Sequence, residues 1–496
     1  MSLSISAPGT ASLPALCVDL DGTLVKSDTL VDSTLALARQ HPAALLQLPR
    51  WLAQGKAALK RHITSNVELD VAHLPYNREL LQYLEQQKAA GRSIYLATAA
   101  DSALAHRIAD HLNLFTGVLA SDGETNLAGS NKLAAFRKSF GDDFTYIGNA
   151  RPDLTLLQNC KEPMVANPTA GLRSALRANK IVPVRSFDER VTPLRAWPKA
   201  IRIHQWAKNT LIFLPLLLAH AWDKALFAAA FIAFLSFGLC ASATYIVNDL
   251  LDLEADRQHP RKRRRPFASG DLSAISGVFV IALFLAASVC LALLLPYVVN
   301  LITPSLALIR PYHFLEWLGI YAVTTLAYSL RLKRAVMVDV IVLSGLYTIR
   351  ILAGSAATGV AVSTWLASFS IFFFLSLAFV KRYAELENLR ERGGVTAGGR
   401  GYHVSDIEQL RSFGSASGYV SVAVLTLYIS NLNAVELYHH TNRLWLLVPV
   451  LLLWISLLWL RASRGELDED PVVYAITDRR SLLLGLAVVV VVLLAL

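Results

Sequence analysis

The distribution of apolar and polar residues divides the chain at about residue 195. Residues 1–195 mix short apolar runs with polar turns, whereas the remainder alternates long apolar runs with charged loops. A run of about 20 apolar residues is long enough to cross a bilayer as a helix. The pattern therefore predicts an N-terminal domain outside the bilayer, followed by an all-α domain that crosses the membrane several times.

Nine apolar runs in the second part are candidate membrane spans, although several are shorter than a bilayer requires. They lie near 209–221, 225–247, 272–296, 314–330, 336–357, 364–380, 414–433, 443–460 and 481–496. With this count, nearly all loop Lys and Arg fall on one side, which is the cytoplasmic side by the positive-inside rule. We expect a multi-pass protein of the inner (cytoplasmic) membrane, with the N-terminal domain and the polar motifs facing the cytoplasm.

Strand and helix patterns alternate in the N-terminal part, which predicts an α/β domain over residues 14–187. A linker at 188–199 would connect it to a membrane domain at 200–496. The first predicted strand ends in Asp19-Leu-Asp21-Gly-Thr, and α/β sheets place ligands at the carboxyl ends of their strands. Of two acids at this spacing, one can attack a phosphoryl group and the other can protonate the leaving oxygen.

Three more polar positions follow the predicted strands and helices of this domain. They are Thr98 at the end of a strand predicted over 93–98, Lys132 at the start of a helix, and the segment 148–153 after a third strand predicted over 144–147. In this order the four pieces resemble the motifs of the haloacid dehalogenase (HAD) phosphatase superfamily. The resemblance implies a Rossmann-like domain with a helical cap at about 28–90.

The HAD resemblance also implies a role for each motif residue. Asp19 would be the nucleophile and Asp21 the acid/base, while Thr98 and Lys132 would hold phosphoryl oxygens. Mg²⁺ would be bound by Asp19, Asn149 and Asp153. The fourth motif usually begins Gly-Asp, and the uncharged Asn149 predicts weaker metal binding, so a HAD-like domain kept for docking or regulation remains an alternative.

Composition narrows the classes of function. Hydrophobic residues make up 54% of the chain and charged residues 17%, far from a soluble average. The net charge of +10 is better explained by cytoplasmic loops that face anionic lipid and anionic substrate than by nucleic-acid binding. The four cysteines show no paired spacing, so neither disulfides nor a zinc site are expected.

An acidic stretch ends the second apolar run and is followed at once by a basic one. Its polar positions are Asn248, Asp249, Asp252 and Asp256. Side chains three and four apart share a helix face, and such hard oxygen ligands suit Mg²⁺ that bridges carboxylates to substrate phosphates. A charged loop beside the membrane would explain the arginines of 257–265 but not the spacing of the acids.

This stretch resembles the first acidic motif, Asn-Asp-x-x-Asp-x-x-x-Asp, of the UbiA superfamily of intramembrane prenyltransferases, and the resemblance covers about residues 195–496. It implies Mg²⁺-dependent transfer of groups to or from polyprenyl (pyro)phosphates. The family's second motif has two Asp four residues apart, where this chain has Lys381 and Glu385. That replacement favours a donor with an additional phosphate monoester, since Lys and Arg bind phosphate directly.

Several further motifs resemble decaprenyl-phosphate phosphoribosyltransferases, which join polyprenyl phosphate to 5-phosphoribosyl diphosphate (PRPP) on the route to lipid-linked D-arabinofuranose. The resemblance implies that Asp252 and Asp256 are catalytic. Mg²⁺ would be held by Asn248, Asp249, Asp252, Asp256 and Glu385. Cations expected to bind substrate are Arg257, Lys262, Arg265, Lys333, Arg350, Lys381, Arg382 and Arg400. The HAD-like domain would then remove the 5-phosphate of the lipid-linked product.

Two charges inside the fifth predicted span point to a polar interior. Asp339 and Arg350 are eleven residues apart, so they share a helix face but lie roughly 16 Å apart along its axis. Each therefore needs another partner or water, and a polar cavity is favoured over pairing between helices. Alternatives for the whole chain are transfer of a prenyl group from prenyl diphosphate to an aromatic acceptor with an inactive HAD-like domain, a membrane scaffold, and a transporter.

Overall fold

The computed structural model describes residues 13–303, 312–391, 393–394, 400–431, 437–467 and 471–496. The chain folds into two compact units. One comprises the chain up to Ile201 together with Tyr245–Val280, and the other comprises Arg202–Thr244 with Ile281–Leu496. The segment that carries the first acidic motif thus belongs to the same compact unit as the N-terminal domain.

The N-terminal domain is built on a parallel six-stranded sheet. Its strands are β1 Ala15–Val18, β2 Ile94–Asp101, β3 Gly117–Ser121, β4 Phe144–Gly148, β5 Pro163–Ala166 and β6 Arg185–Phe187. They are arranged in the order β3-β2-β1-β4-β5-β6. This order reverses between β1 and β4, the point at which open α/β sheets bind ligands. The predicted α/β domain is confirmed.

Helices flank this sheet, and the segment predicted as a cap is helical. The cap contains α1 Thr29–Gln40, α2 Leu48–Ala53, α3 Lys56–Asn66 and α4 Arg78–Ala89. The side chain of Asp28 accepts hydrogen bonds from the amides of Leu30 and Val31, which fixes the start of α1. The remaining helices up to Ala200 are α5 Ser102–Leu112, α6 Ser130–Phe140, α7 Leu154–Asn159, α8 Ala170–Ala178 and α9 Pro193–Ala200.

The rest of the chain is helical. Its helices are α10 Leu214–Leu218, α11 Lys224–Leu251, α12 Leu253–Gln258, α13 Ala274–Ile302, α14 His313–Leu330, α15 Val338–Thr358, α16 Thr364–Glu391, α17 Ile407–Ile429, α18 Leu447–Ser463, α19 Pro471–Thr477 and α20 Arg479–Ala495. Within the described ranges, six helical segments are long and apolar enough to cross a membrane: Lys224–Leu251, Ala274–Ile302, Val338–Thr358, Thr364–Glu391, Val404–Ile429 and Thr441–Ser463.

The all-α membrane domain is confirmed, but the count of nine spans is not. The first predicted span, 209–221, is a 3₁₀ helix at Ile203–Phe213 followed by the short α10. Pro215 lies in the first turn of α10, where its missing N–H interrupts a continuous hydrogen-bond ladder. Two other predicted spans, near 314–330 and 481–496, correspond to α14 and α20. These helices have 18 and 17 residues, fewer than the roughly 20 that a bilayer usually requires.

Candidate active sites

The reversal point of the sheet carries a buried chain of polar side chains. Lys132, near the start of α6, donates from Nζ to Asp19 Oδ1 at 2.8 Å and to the hydroxyl of Tyr146 at 3.1 Å. Tyr146 in turn donates to Asp153 Oδ1 at 2.8 Å. Asp19 follows β1 and Asp153 follows β4, so the two neighbouring strands bring both acids to one cation. Three of the predicted HAD-motif residues are thereby joined.

The two motif acids after β1 lie in environments that favour their protonated forms. Burial raises the pKa of Asp19 to about 6, against the opposing charge of Lys132. Burial and the neighbouring Asp28 raise the pKa of Asp21 to about 7, and Asp21 Oδ1 accepts a hydrogen bond from the amide of Thr29 at 2.7 Å. Asp21 can therefore carry a proton near neutral pH, as a general acid must.

The fourth motif is held tightly by local contacts. Asp153 Oδ2 accepts hydrogen bonds from the amides of Asn149 and Ala150 at 3.0 and 2.9 Å. The side chain of Asn149 lies over Gly22, which has a φ of +75°, and a Cβ at Gly22 would be 1.8 Å from Asn149 Nδ2. Only glycine fits this position, because it provides both the left-handed conformation and the space.

Two residues of this site were not predicted from the sequence. Tyr146 bridges Lys132 and Asp153, but within the strand it has the pattern of an ordinary core aromatic. Lys60 of α3 donates to the carbonyl of Ala99 at 2.6 Å and to Asn126 Oδ1 at 3.1 Å. From the sequence, Lys60 could have been assigned to this site only because it lies in the predicted cap. Thr98 was predicted at the end of its strand, but β2 continues to Asp101. Thr98 is fully buried within β2, and its Oγ1 accepts a hydrogen bond from the amide of Ala100.

The first acidic motif forms one helical face, as its spacing predicts. α11 ends at Leu251 and α12 begins at Leu253, yet the hydrogen bonds from Asp252 N to Asn248 O and from Asp256 N to Asp252 O continue the helical pattern. Asp249 and Asp256 are both buried. Burial raises the pKa of Asp256, while nearby Arg265 acts in the opposite direction.

Arg265 lies between two carboxylates of this motif. Its Nη1 is 3.1 Å from Asp249 Oδ1 and 2.7 Å from Asp256 Oδ2. In this arrangement the predicted phosphate ligand serves as the counterion of the acids. Arg257, from the same basic run, is directed elsewhere and donates to Asp32 and Ser27 of the N-terminal domain. Lys262 begins a 3₁₀ turn that ends at Arg264.

The second-motif position in the membrane domain carries a buried ion network. Arg382 of α16 donates to Asp339 Oδ2 and to Glu385 Oε2, both at 2.5 Å, and to the hydroxyl of Tyr328 at 2.8 Å. Arg400 Nε is 3.0 Å from the other oxygen of Glu385. Both oxygens of Glu385, a predicted Mg²⁺ ligand, are thus engaged by guanidinium groups.

Each intramembrane charge of α15 has a buried partner outside α15. Asp339 binds Arg382 and also accepts a hydrogen bond from the hydroxyl of Tyr402 at 2.5 Å. Arg350 Nε donates to Asn209 Oδ1 at 2.9 Å. As expected, Asp339 and Arg350 do not pair with each other. Both pair with side chains of other elements, which the sequence pattern favoured less than a polar cavity. Lys333 lies in the 3₁₀ turn Leu332–Arg334, and Lys381 lies on α16.

The donor chemistry of two of these sites suits a divalent cation. In the described ranges, no three His, Cys, Asp or Glu side chains are grouped closely enough to form a metal site. However, Asp19 and Asp153 converge on Lys132 through Tyr146, and Asp249 and Asp256 converge on Arg265. Arg265 lies between the carboxylates of Asp249 and Asp256, and Lys132 together with Tyr146 lies between those of Asp19 and Asp153. Such hard oxygens are the ligands that Mg²⁺ prefers.

Comparisons with known proteins identify relatives of the whole chain and of parts of it. Residues 210–477 match the UbiA prenyltransferase family. The uncharacterized protein y4nM of Sinorhizobium fredii is 37% identical over 479 residues, 95% of this chain and 89% of that protein. A decaprenyl-phosphate phosphoribosyltransferase of Mycobacterium tuberculosis is 37% identical over 203 residues, 40% of this chain and 61% of that protein.

For the N-terminal part, a solved HAD family hydrolase of Salmonella enterica serovar Typhi is similar with 14% identity and a TM-score of 0.26. The match covers 34% of this chain and 67% of that one. The UbiA match spans more than half of the chain, and it includes the acidic motif, the buried ion network and all six apolar helices. The chain belongs to the UbiA prenyltransferase family.

Proposed function

We propose that the membrane domain transfers 5-phosphoribose from PRPP to a polyprenyl phosphate, and that the HAD-like domain removes the 5-phosphate from the product. The observation that carries the proposal is the ion network at the second motif. Arg382 and Arg400 engage both oxygens of Glu385, so two guanidinium groups lie at this position, beside a carboxylate that they already bind. Guanidinium groups bind phosphate in paired hydrogen bonds, and PRPP has a phosphate monoester that prenyl diphosphate lacks.

The transfer needs little acid–base chemistry. The phosphate of the polyprenyl acceptor is already ionised, and its oxygen attacks the anomeric carbon while the bond to pyrophosphate breaks. Asn248, Asp249, Asp252 and Asp256 would hold Mg²⁺, which when bound neutralises charge on the leaving group. Substrate phosphates would be contacted by Lys262, Arg265, Lys333, Lys381 and Arg400, whereas Arg382, 1% exposed and held by Asp339 and Glu385, would position Glu385.

The phosphatase step uses the acids after β1. Asp19 attacks the phosphorus atom, and Asp21 donates its proton to the departing 5-oxygen of the ribose. Water then hydrolyses the Asp19–phosphoryl bond, and Asp21 takes the proton back. Lys132, 2.8 Å from Asp19, and Thr98 would hold phosphoryl oxygens, while Asn149 and Asp153 would complete the oxygen ligands for Mg²⁺.

The transferase assignment is tested with the full-length protein in nanodiscs, given polyprenyl phosphate, Mg²⁺ and labelled PRPP. We expect a labelled lipid, and Asp252→Asn should reduce its formation at least 100-fold, about 2.7 kcal/mol of transition-state stabilisation. Glu316→Gln, an exposed acid on α14, is the matched control. A product formed instead from prenyl diphosphate and hydroxybenzoate would establish the aromatic prenyltransferase alternative and overturn the proposal.

The phosphatase assignment is tested by mass spectrometry of the same lipids. The unmodified protein should yield the dephosphorylated ribosyl lipid, whereas Asp19→Asn should stop at the 5-phosphorylated lipid. Asp142→Asn, an exposed acid of the same domain, serves as the control. Continued dephosphorylation by purified Asp19→Asn would assign this step elsewhere.

The proposed topology places both reactions on the cytoplasmic side of the inner membrane, where the basic loops face the cytoplasm. Cysteine labelling in intact cells tests it. A cysteine introduced at exposed Arg263 of the basic run should react with a membrane-impermeant maleimide only after the cells are lysed. Labelling in intact cells would reverse the proposed orientation.

A further inference from the structure

Arg257 is the residue directly after Asp256, the last acid of the first motif. Its guanidinium donates from Nη1 to Asp32 Oδ2 at 2.9 Å, from Nη2 to Ser27 Oγ at 3.1 Å, and from Nε to the carbonyl of Ala268 at 3.3 Å. The side chains of Arg257 and Asp32 are 5% and 2% exposed. A substrate phosphate therefore has little access to this guanidinium.

Asp32 binds a second member of this network. Its Oδ2 also accepts a hydrogen bond from Ser27 Oγ at 2.6 Å, which closes a small network around Arg257. Removing one member of a buried charge pair is strongly destabilising, because the other charge is left without compensation. The pair thus fixes where α12 lies against α1 of the N-terminal domain.

Further contacts fasten the same segment to the N-terminal domain. The amide of Asp70 donates to Glu254 Oε1 at 3.2 Å, and Gln258 Nε2 donates to Asp70 Oδ2 at 2.8 Å. A Cβ at Gly270 would lie 2.7 Å from the Cβ of Lys26, so the backbone at Gly270 packs directly on the domain. Both ends of the stretch between Glu254 and Gly270 are therefore held.

The held segment determines the geometry of the acids. Asp249 lies on α11 and Asp256 on α12, and the two short-range carboxylate contacts to Arg265 require both helices to keep their present angle. α12 has only six residues, so its orientation depends on what its side chains bind. Arg257 is the residue of α12 that has side-chain hydrogen bonds to Asp32 and Ser27 of the N-terminal domain.

We propose that Arg257 and Asp32 are positioning residues, through which the HAD-like domain holds Asp256 in the arrangement that binds Mg²⁺ and the pyrophosphate of the donor. On this view the HAD-like domain is part of the transferase as well as a phosphatase. The inference rests on the proposed function for its activity readout, but the structural part stands on the contacts alone. Arg257 follows Asp256 directly in the chain, so a shift of α12 would move the Asp256 carboxylate. Loss of the contacts that orient a metal ligand typically weakens metal affinity about 10- to 100-fold.

The test compares Asp32→Asn, Arg257→Gln and the charge exchange Asp32→Arg with Arg257→Asp, all in full-length protein in nanodiscs. Exposed Arg39→Gln on the same α1 helix is the matched control. We expect each single variant to raise the Mg²⁺ concentration for half-maximal transfer at least tenfold, with a smaller change at saturating Mg²⁺. The charge exchange should recover at least part of that loss, and hydrolysis of a soluble phosphate monoester should be unchanged.

Hydrogen exchange of the peptide 252–266, with and without Mg²⁺, provides a readout that does not depend on activity. Mg²⁺ should slow exchange in the unmodified protein and in Arg39→Gln, and slow it less in Asp32→Asn. Equal protection in all three proteins, or equal Mg²⁺ requirements for transfer, would overturn the positioning role. If the unmodified protein made no labelled lipid, the proposed function would fail, and the exchange data alone would still decide this inference.

Discussion

The pair of Asp19 and Lys132 offers a quantitative test of the proposed phosphatase site. Their side chains are 11% and 4% exposed, and the two charged atoms are 2.8 Å apart. Asp19→Asn would leave Lys132 with the hydroxyl of Tyr146 at 3.1 Å as its remaining direct partner. Breaking a buried pair costs about 3–5 kcal/mol, and because Asn still offers an acceptor oxygen we expect about 3 kcal/mol.

Replacing Lys132 instead of Asp19 should reduce the free energy of unfolding by less. Burial alone would lower the pKa of Lys132, but Asp19 and Asp153 outweigh it and raise this pKa, so Lys132 stays charged. Asp19, in contrast, has a pKa of about 6 even beside Lys132. In Lys132→Met it can take up a proton instead of remaining a buried anion, and we expect a cost of about 1–2 kcal/mol.

The double variant decides whether the two residues are coupled. Removing both charges of a buried pair is often nearly neutral, so Asp19→Asn with Lys132→Met should be more stable than Asp19→Asn alone, although it remains inactive as a phosphatase. Hydrogen exchange of the β1 and α6 amides in the full-length protein measures the free energy of opening. A double variant whose cost equals the sum of the two single costs would refute the coupling.

Three further substitutions test other contacts. Asn149→Asp should lower the Mg²⁺ concentration for half-maximal phosphatase activity about tenfold, because an added carboxylate strengthens an oxygen site; an unchanged requirement would exclude Asn149 as a ligand. Gly22→Ala should cost at least about 1–2 kcal/mol for the left-handed backbone alone, seen as faster exchange in β1, and native-like exchange would contradict the tight fit. Asp339→Asn leaves Arg382 without one carboxylate, and the Tm of the membrane domain should fall by roughly 6 °C or more, whereas Glu316→Gln should not change it.

Local patterns predicted well those strands and helices whose structure depends mainly on their own residues. The predicted strand at 93–98 is β2, Ile94–Asp101, and the one at 144–147 is β4, Phe144–Gly148. β3 was not predicted. It is an edge strand in which four of five residues are only half-buried, and its apolar run, 118–120, is only three residues long. The first predicted span is not one continuous α-helix, because hydropathy takes no account of Pro215.

The sequence also indicated the chemistry of the candidate sites but not the partners within them. Acids at helical spacing and acids after a strand are local signals. Lys132 and Asp19, in contrast, are 113 positions apart, and Arg257 and Asp32 are 225 apart. Nothing in one sequence connects such residues. Tyr146 shows the same limit, since a buried tyrosine in a strand has the same local pattern whether or not it links two ionised groups.

Two arginines of the basic run after the first motif have different contacts, although they are the same residue type. Arg257 and Arg265 are eight positions apart, and the sequence assigns both to phosphate binding. In the structure Arg257 is sealed against Asp32, whereas Arg265, 27% exposed, compensates Asp249 and Asp256. If Arg265 is also to contact substrate phosphate, it must first leave these carboxylates, and two buried anions cannot be left uncompensated. Binding of a cation at the motif and release of Arg265 toward the pyrophosphate must therefore occur together, which ties the phosphate role of Arg265 to the presence of the metal.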